Sequence, residues 1–160
     1  MEAQHAVELI IRWEPTEALK PYSRNARTHT KHQIRQIAES VRVFGFTNPV
    51  LIDRSNQIIA GHGRVEAAKA LGMSQVPTIR LEKLTEEQIR AYVIADNKLA
   101  ENAGWDRSIL AIEFQHLIAL DCSEFDITVR GFEIPEIYLI LEKPSDADEK
   151  QDPVAGLCQQ

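Results

Sequence analysis

Residues 58–72 read IIAGHGRVEAAKALG. The apolar run Ile58–Ala60 reads as the end of a buried strand. A Gly-x-Gly turn follows, and the alanine-rich stretch after it is a good helix former. Gly72 stands where a helix ending at Leu71 takes its left-handed C′ residue. A helix that begins straight after a strand presents unpaired backbone N–H groups, which form an anion site. Gly61 and Gly63 permit close backbone approach and left-handed angles. Arg64 would face the positive end of the helix dipole, a penalty of about 0.3–1 kcal/mol that a bound phosphate reverses. Its guanidinium fork also matches a phosphate. The same residues equally suit a plain tight turn with a surface arginine.

The elements around this unit can be read outward from it. Upstream, Val50–Asp53 and Gln57–Ala60 flank Arg54-Ser55-Asn56, the pattern of a hairpin. Ile34, Ile37, Ala38 and Val41 form one helical stripe over 32–44, with Thr30 as cap and Gly45 as stop. Residues 14–31 read as an ordered connection, and 7–13 as a strand. Downstream, Val76–Leu81 reads as a strand opened by a proline that suits the strand's own edge. Thr85 and Gln88 meet the capping-box pattern. The helix they open carries Ile89, Tyr92, Val93 and Leu99 as its apolar positions. Asp106–Leu120 fits another amphipathic helix, with Ile109, Leu110, Ile112, Leu117 and Leu120 as its apolar side, and 134–142 fits a short closing one. From Pro144 onward the chain is polar, acidic and broken by proline, and is expected to be a disordered tail or linker. The order β, α, ββ, α, β, then helices predicts an α/β (α+β) fold with a small mixed sheet flanked by helices. The expected division is a domain at 1–100, a helical extension packed on it at 101–143, and the tail at 144–160.

Charge narrows the function. The 160 residues carry a net charge of −6, which taken alone argues against nucleic acid. That average hides an asymmetry: residues 1–80 hold 11 Lys and Arg against 7 acids, and residues 81–160 hold 7 against 17. Arg24, Arg27, Lys31, Arg35 and Arg42 cluster with His29 and His32 around a single acid, Glu39. A locally basic surface attracts phosphates even on an acidic protein. No apolar run approaches the ~18 residues of a membrane span. The acidic start of the chain does not read as a secretory signal. Two cysteines, Cys122 and Cys158, make no metal or redox motif, so a reducing cytoplasm is the expected setting.

Two further segments carry polar chemistry. Asp96-Asn97-Lys98, with Glu101 one turn on, combines acid, amide and ammonium groups suited to a nucleotide phosphate and its Mg²⁺. Asp96 falls on the stripe expected to be buried, where a carboxylate needs a partner; a cap or salt bridge would satisfy it equally. Asn25-Ala26-Arg27-Thr28-His29, ahead of the first helix, offers contacts to phosphates or base edges, or simply a solvated loop. The chain has no zinc-spaced Cys/His cluster, no GxxxxGK[ST] loop and no nucleophile elbow. His62 can be read as a general base or as a turn residue.

With these motifs in order, residues about 7–100 resemble the N-terminal domain of the ParB/sulfiredoxin superfamily. The landmarks are NARTHTKHQIRQIAESVRVFGFTNPVLID, the strand–GHGR–helix unit, VPTIRLEKLT and AYVIADNKLAENAGWD. The pattern is most similar to ParB-like domains that precede DNA methyltransferase domains in bacterial and phage (prophage) proteins. It runs on to about residue 142. The resemblance implies a bound nucleoside triphosphate, CTP or ATP, with Mg²⁺. The family's Gly-Glu-Arg-Arg element corresponds to Gly61-His62-Gly63-Arg64, so Gly61 and Arg64 match while His62 and Gly63 replace an acid and an arginine. The family's Glu-Asn motif is similar to Asp96-Asn97. In sulfiredoxin this turn carries the catalytic cysteine; His62 stands there here, so reductase chemistry is not expected. No methyltransferase motif and no helix-turn-helix domain is evident in the chain.

Three functions are therefore weighed. The first is a nucleotide-binding, DNA-associated domain that regulates or positions a DNA partner or methyltransferase. Its nucleotide site would be Gly61, His62, Gly63, Arg64, Asn97 and Lys98. Asp96 and Asn97 would place the metal, and Arg24, Asn25, Arg27, His29, Lys31 and Arg35 would meet nucleic acid. The second is a metal-dependent nuclease or NTPase (a hydrolase) using His62, Asp96 and Glu101. The third is a DNA-binding interaction module that needs no nucleotide. A homodimer is compatible with each.

Overall fold

The computed structural model describes residues 9–25, 27–120 and 131–142. The expected tail at 144–160 lies outside them. The described residues divide by their contacts into two units, the first running to residue 104 and taking in 131–132, the second built on 105–120 and 133–142.

The first unit is a four-stranded mixed sheet with helices. Its strands are β1 (Ile11–Pro15), β2 (Val50–Ile52), β3 (Ile58–Ala60) and β4 (Gln75–Arg80), in the order β1-β4-β2-β3. β2 and β3 form the antiparallel hairpin, β2 runs parallel to β4, and β1 closes the other edge antiparallel to β4. The hairpin turn is set by Asp53, whose Oδ1 accepts from Ser55 N, Ser55 Oγ and Gln57 N, with Asn56 at φ 65°.

Two strand expectations need correction. β1 lies at Ile11–Pro15 rather than 7–13, because pairing with β4 (Ile11 to Ile79, Pro15 to Gln75) sets its position. Residues 7 and 8 lie outside the described ones. A proline is tolerated there because β1 is an edge strand and Pro15 is its last residue. β4 starts at Gln75, so Pro77 is its third residue rather than its opening edge, and the strand lies inside the sheet. Its Pro77 sits one residue before the stretch paired with β2, which starts at Thr78, so the missing N–H falls outside the parallel ladder.

Helix α1 (Lys31–Phe44) opens with a full capping box: Thr30 Oγ1 accepts from Gln33 N, and the Gln33 side chain accepts from Thr30 N. Helix α2 (His62–Ala70) ends in a Schellman motif, with Met73 N on Ala68 O and Gly72 N on Lys69 O. Helix α3 (Glu86–Asn102) opens with the Thr85–Gln88 capping box. The core is Leu19, Val50, Ile52, Ile58, Val65, Ala68 and Val76, with Phe46 and Met73 packed against it. Each large aliphatic buried there contributes roughly 1.5–3 kcal/mol. Buried Thr16 and Thr78 are satisfied by Met73 O and Arg12 O.

The stripe expected on α3 is only partly buried. Val93 is covered, but Tyr92, Asp96 and Leu99 are exposed. α3 packs on the sheet through short β3, which cannot cover a 17-residue helix.

The second unit pairs α4 (Arg107–Ala119) with α5 (Ile134–Glu142). Asp106 caps α4 by accepting from Ile109 N. Ala111 and Phe114 of α4 and Ile137 and Ile140 of α5 are buried, while Ile109, Ile112 and Leu120, expected on the buried side, are exposed. Nine-residue α5 covers one narrow stripe, which Ala111 and Phe114 occupy by their i, i+3 spacing. No helix among the described residues is long and apolar enough to cross a membrane.

Candidate nucleotide site

The strand–turn–helix unit does divide its glycine roles. Gly61 is the N-cap of α2 in left-handed geometry, φ 104° and ψ 22°. Gly63 lies inside the first turn of the helix, which begins at His62. Its role is close approach: a Cβ there would stand 3.0 Å from Ile37 Cδ1 and 3.1 Å from His29 Nε2. Missing side chains thus let α1 and the segment before it close on the helix N-terminus.

Arg64 folds back over that turn. A Cβ on Gly61 would lie 2.8 Å from its Nη2. Nη2 donates to Pro49 O at 3.3 Å, and Nε is buried with no hydrogen-bond partner. Burial lowers the pKa of this guanidinium, and the charge of Asp96 opposes that shift. The arginine stays cationic but under-bonded, the condition of a donor group built for an anion.

A cleft of about 350 Å³ collects these groups. It is lined by Asn25, Arg27, His29, Ile37, Asn48, Gly61, His62, Gly63, Arg64, Asp96, Asn97 and Ala100. Three segments distant in sequence therefore meet: the polar loop before α1, the N-terminus of α2 and the middle of α3. Asp96, expected on a buried stripe, is an exposed carboxylate facing this cleft. Burial first, and then the nearby charge of Asp96, raise the pKa of the Tyr92 phenol. Asn97 is held from both ends: its Nδ2 donates to Val93 O at 2.8 Å and its Oδ1 accepts from Arg27 Nη1 at 3.1 Å. His62 Nε2 accepts from Tyr22 N at 3.1 Å, and its pKa is lowered by burial and then by His29.

A second cleft of about 670 Å³ adjoins the first across Arg27 and Asn97. Arg24, Lys98 and Glu101 line it, and Lys98 pairs with Glu101 at 3.3 Å. The residues singled out from sequence thus separate. Asn25, Arg27, His29, Gly61, His62, Gly63, Arg64, Asp96 and Asn97 share the first cleft. Arg24, Lys98 and Glu101 belong to the second, and exposed Lys31 and Arg35 line neither. Among the described residues no three His, Cys, Asp or Glu side chains are placed to hold a metal by themselves. Sequence reasoning passes over Asn48, read only as a chain break with Pro49, and over Tyr22, Gln33 and Arg90 of the second cleft; Tyr22 and Arg90 carry no local motif, and Gln33 belongs to the α1 capping box.

Comparison with known proteins bears on the family and the fold. The model of the ParB N-terminal domain matches residues 2–97. The ParB-like nuclease domain-containing protein YnaK of Escherichia coli is 54% identical over 81 residues, which are 51% of this chain and 93% of that protein. The probable chromosome 2-partitioning protein ParB of Deinococcus radiodurans is 32% identical over 96 residues, covering 58% of this chain and 32% of its own. The chain thus spans about a third of that partitioning protein. Among solved structures, the C-terminally truncated chromosome-partitioning protein ParB from Caulobacter crescentus, complexed with CTP-gamma-S, shares the fold. Its TM-score is 0.67 at 22% identity, over 82% of this chain and 76% of that one. The chain belongs to the ParB N-terminal domain family.

Proposed function

We propose that this chain is a nucleoside-triphosphate-binding module of the ParB type, with CTP as its first ligand to test and ATP its rival. The observation that carries the reading is Arg64: a half-buried guanidinium whose Nε has no partner, folded over a left-handed glycine at a helix N-terminus. Phosphate oxygens at that point would supply the missing acceptors, and the α2 amides would add to them. Arg27 and His29 reach the same cleft from the loop before α1. The donor set also fits one Mg²⁺ carried in with the phosphates, since such ions are commonly held by one or two carboxylates plus the nucleotide. Asp96 would be the carboxylate, with Asn97 beside it. The ion would neutralise phosphate charge, and the chain's own part is to orient and desolvate the triphosphate end.

Calorimetry with CTP, ATP and GTP, each with Mg²⁺, tests this reading. Binding of one of them is expected, and Arg64→Ala should weaken it by about 10- to 100-fold, the worth of one or two charge-assisted hydrogen bonds. Absence of binding by all three at millimolar concentration overturns the proposal.

DNA is the proposed macromolecular partner, through Arg24, Lys31 and Arg35, which remain exposed around the clefts. Delivery to a methyltransferase and self-association as a dimer extend the same reading. The nuclease reading finds support in the name of the YnaK relative. It needs His62, Asp96 and Glu101 at one centre, whereas Glu101 lines the second cleft in an ion pair with Lys98. The geometry therefore favours nucleotide binding.

A further inference from the structure

We propose that His62 is a positioning residue for this cleft: its neutral imidazole latches the Tyr22–His29 segment onto the N-terminus of α2, and its protonation releases that segment. The consequence for ligand affinity rests on the nucleotide reading above; the latch itself does not.

The geometry is a single hydrogen bond with a chemical requirement. Tyr22 N donates to His62 Nε2 at 3.1 Å, across 40 residues of sequence. Only an unprotonated Nε2 accepts; an imidazolium has two donors and no acceptor. Protonation would therefore set two N–H groups against each other. His62 is also the first residue of α2, where the helix dipole disfavours a cation.

The charged and titratable groups lining the same cleft come from every neighbouring element. Arg27 and His29 come from the segment before α1, Arg64 from α2, and Asp96 from α3. Asp96 is the single acid among them, so the surroundings resist another positive charge. Burial and His29 both push the His62 pKa below its ordinary value, which keeps the latch formed at neutral pH.

Release at Tyr22 would be passed along the segment, because local bonds tie it together. Asn25 N donates to Tyr22 O at 3.0 Å. Asn25 and Arg27 exchange two further bonds, Arg27 N to Asn25 Oδ1 and Asn25 Nδ2 to Arg27 O. His29 packs directly on Gly63. One proton on His62 thus loosens the loop that brings Arg27 and His29 to the phosphate end. A histidine acting only as a cation would do the opposite and strengthen anion binding on protonation.

The test is a ¹⁵N NMR titration of the whole chain from pH 8 to 5, following the Tyr22 amide and its protection from hydrogen exchange. In the wild type the protection factor is expected to fall about tenfold for each pH unit below the His62 titration. His62→Gln, whose amide oxygen accepts at every pH, should keep Tyr22 protected down to pH 5. His62→Ala, verified as folded by circular dichroism, should leave it unprotected throughout. Wild-type protection that persists to pH 5, or His62→Gln protection lost in parallel with the wild type, overturns the latch. In a second arm, Mg·CTP affinity of the wild type relative to His62→Gln should drop as pH falls, the ligand's own ionisation cancelling in the ratio. A ratio that rises overturns the positioning role. If neither protein binds the nucleotide, the ligand reading fails alone, and the Tyr22 amide still decides the latch.

Discussion

Arg27 Nη1 donates to Asn97 Oδ1 at 3.1 Å, joining the loop before α1 to the middle of α3 across 70 residues of sequence. Both residues line both clefts, so this bond is the wall between them. Arg27 is exposed, and such a surface contact contributes at most about 1 kcal/mol to folding. Arg27→Ala should therefore move the melting temperature little while weakening nucleotide binding by roughly tenfold or more. Paired calorimetry and thermal melts check this; an equal loss in both would mark Arg27 as a structural residue only.

The two glycines of the turn should respond differently to alanine. At Gly61 the backbone is left-handed and a Cβ would meet Arg64 Nη2 at 2.8 Å. Gly61→Ala is expected to cost about 1–2 kcal/mol in backbone strain and to displace the guanidinium. At Gly63 no left-handed angle is involved, and alanine gains up to about 1 kcal/mol of helix propensity. Against that gain, the new Cβ would crowd Ile37 at 3.0 Å and His29 at 3.1 Å. Gly63→Ala should thus be near neutral in denaturant melts, yet shift the His29 ring signals in NMR spectra.

Arg64 should show stability and binding moving apart. Its guanidinium is half-buried, makes one long bond to Pro49 O and leaves Nε unpaired. Arg64→Met keeps much of the volume and removes the orphaned donor, so folding stability should hold or rise by about 1 kcal/mol. Nucleotide-induced stabilisation should vanish in the same variant. A fall of several kcal/mol on Arg64→Met would show instead that the arginine serves the fold.

How much of this was legible in the sequence varied with the distance over which each feature is decided. The cap at Thr30, the capping box at Thr85, the hairpin over 50–60 and the Gly72 stop are local, and their residues announce them. The strand–turn–helix unit around Gly61 is equally readable, because strand, glycine and helix follow directly. What failed depended on partners far away. The position of β1 is set by its pairing with β4, and nothing around Pro77 signals that β4 is flanked on both sides. Periodicity places Asp96 on a buried stripe because it cannot say how little of α3 the short β3 covers. The separation of Glu101 and Lys98 from Asp96 into another cleft was likewise invisible, since all three fit one polar run in sequence.

His62 also makes a prediction for stability against pH. Its folded pKa lies below the ordinary value of 6.5, for burial first and His29 second. The unfolded chain then takes up the proton more readily than the folded one, so stability is full above pH 6.5 and declines as pH drops toward the folded pKa. Thermal melts between pH 7.5 and 5 should show this decline, and His62→Gln should flatten it. A wild-type melting temperature unchanged across that window would contradict the assignment.

Arg80 tests the fold independently of the cleft. Its Nη1 donates to Asp53 O at 2.7 Å and Arg54 O at 3.2 Å, and its Nη2 to Glu14 Oε1 at 3.0 Å and Asn56 Oδ1 at 2.7 Å. One guanidinium thus ties β4 to the hairpin turn and to β1, with its side chain 19% exposed. Removing it leaves Glu14 and the turn carbonyls without their donor in a partly covered site, where such losses cost about 2–3 kcal/mol. Arg80→Met should lower the melting temperature by roughly 8–20 °C for a unit of about 100 residues. Below that lowered transition the variant should still bind nucleotide if the proposed function holds, because none of these residues lines the cleft around Arg64. Loss of binding by folded Arg80→Met protein would mean that the sheet edge and the cleft are coupled more tightly than their separate hydrogen-bond networks imply.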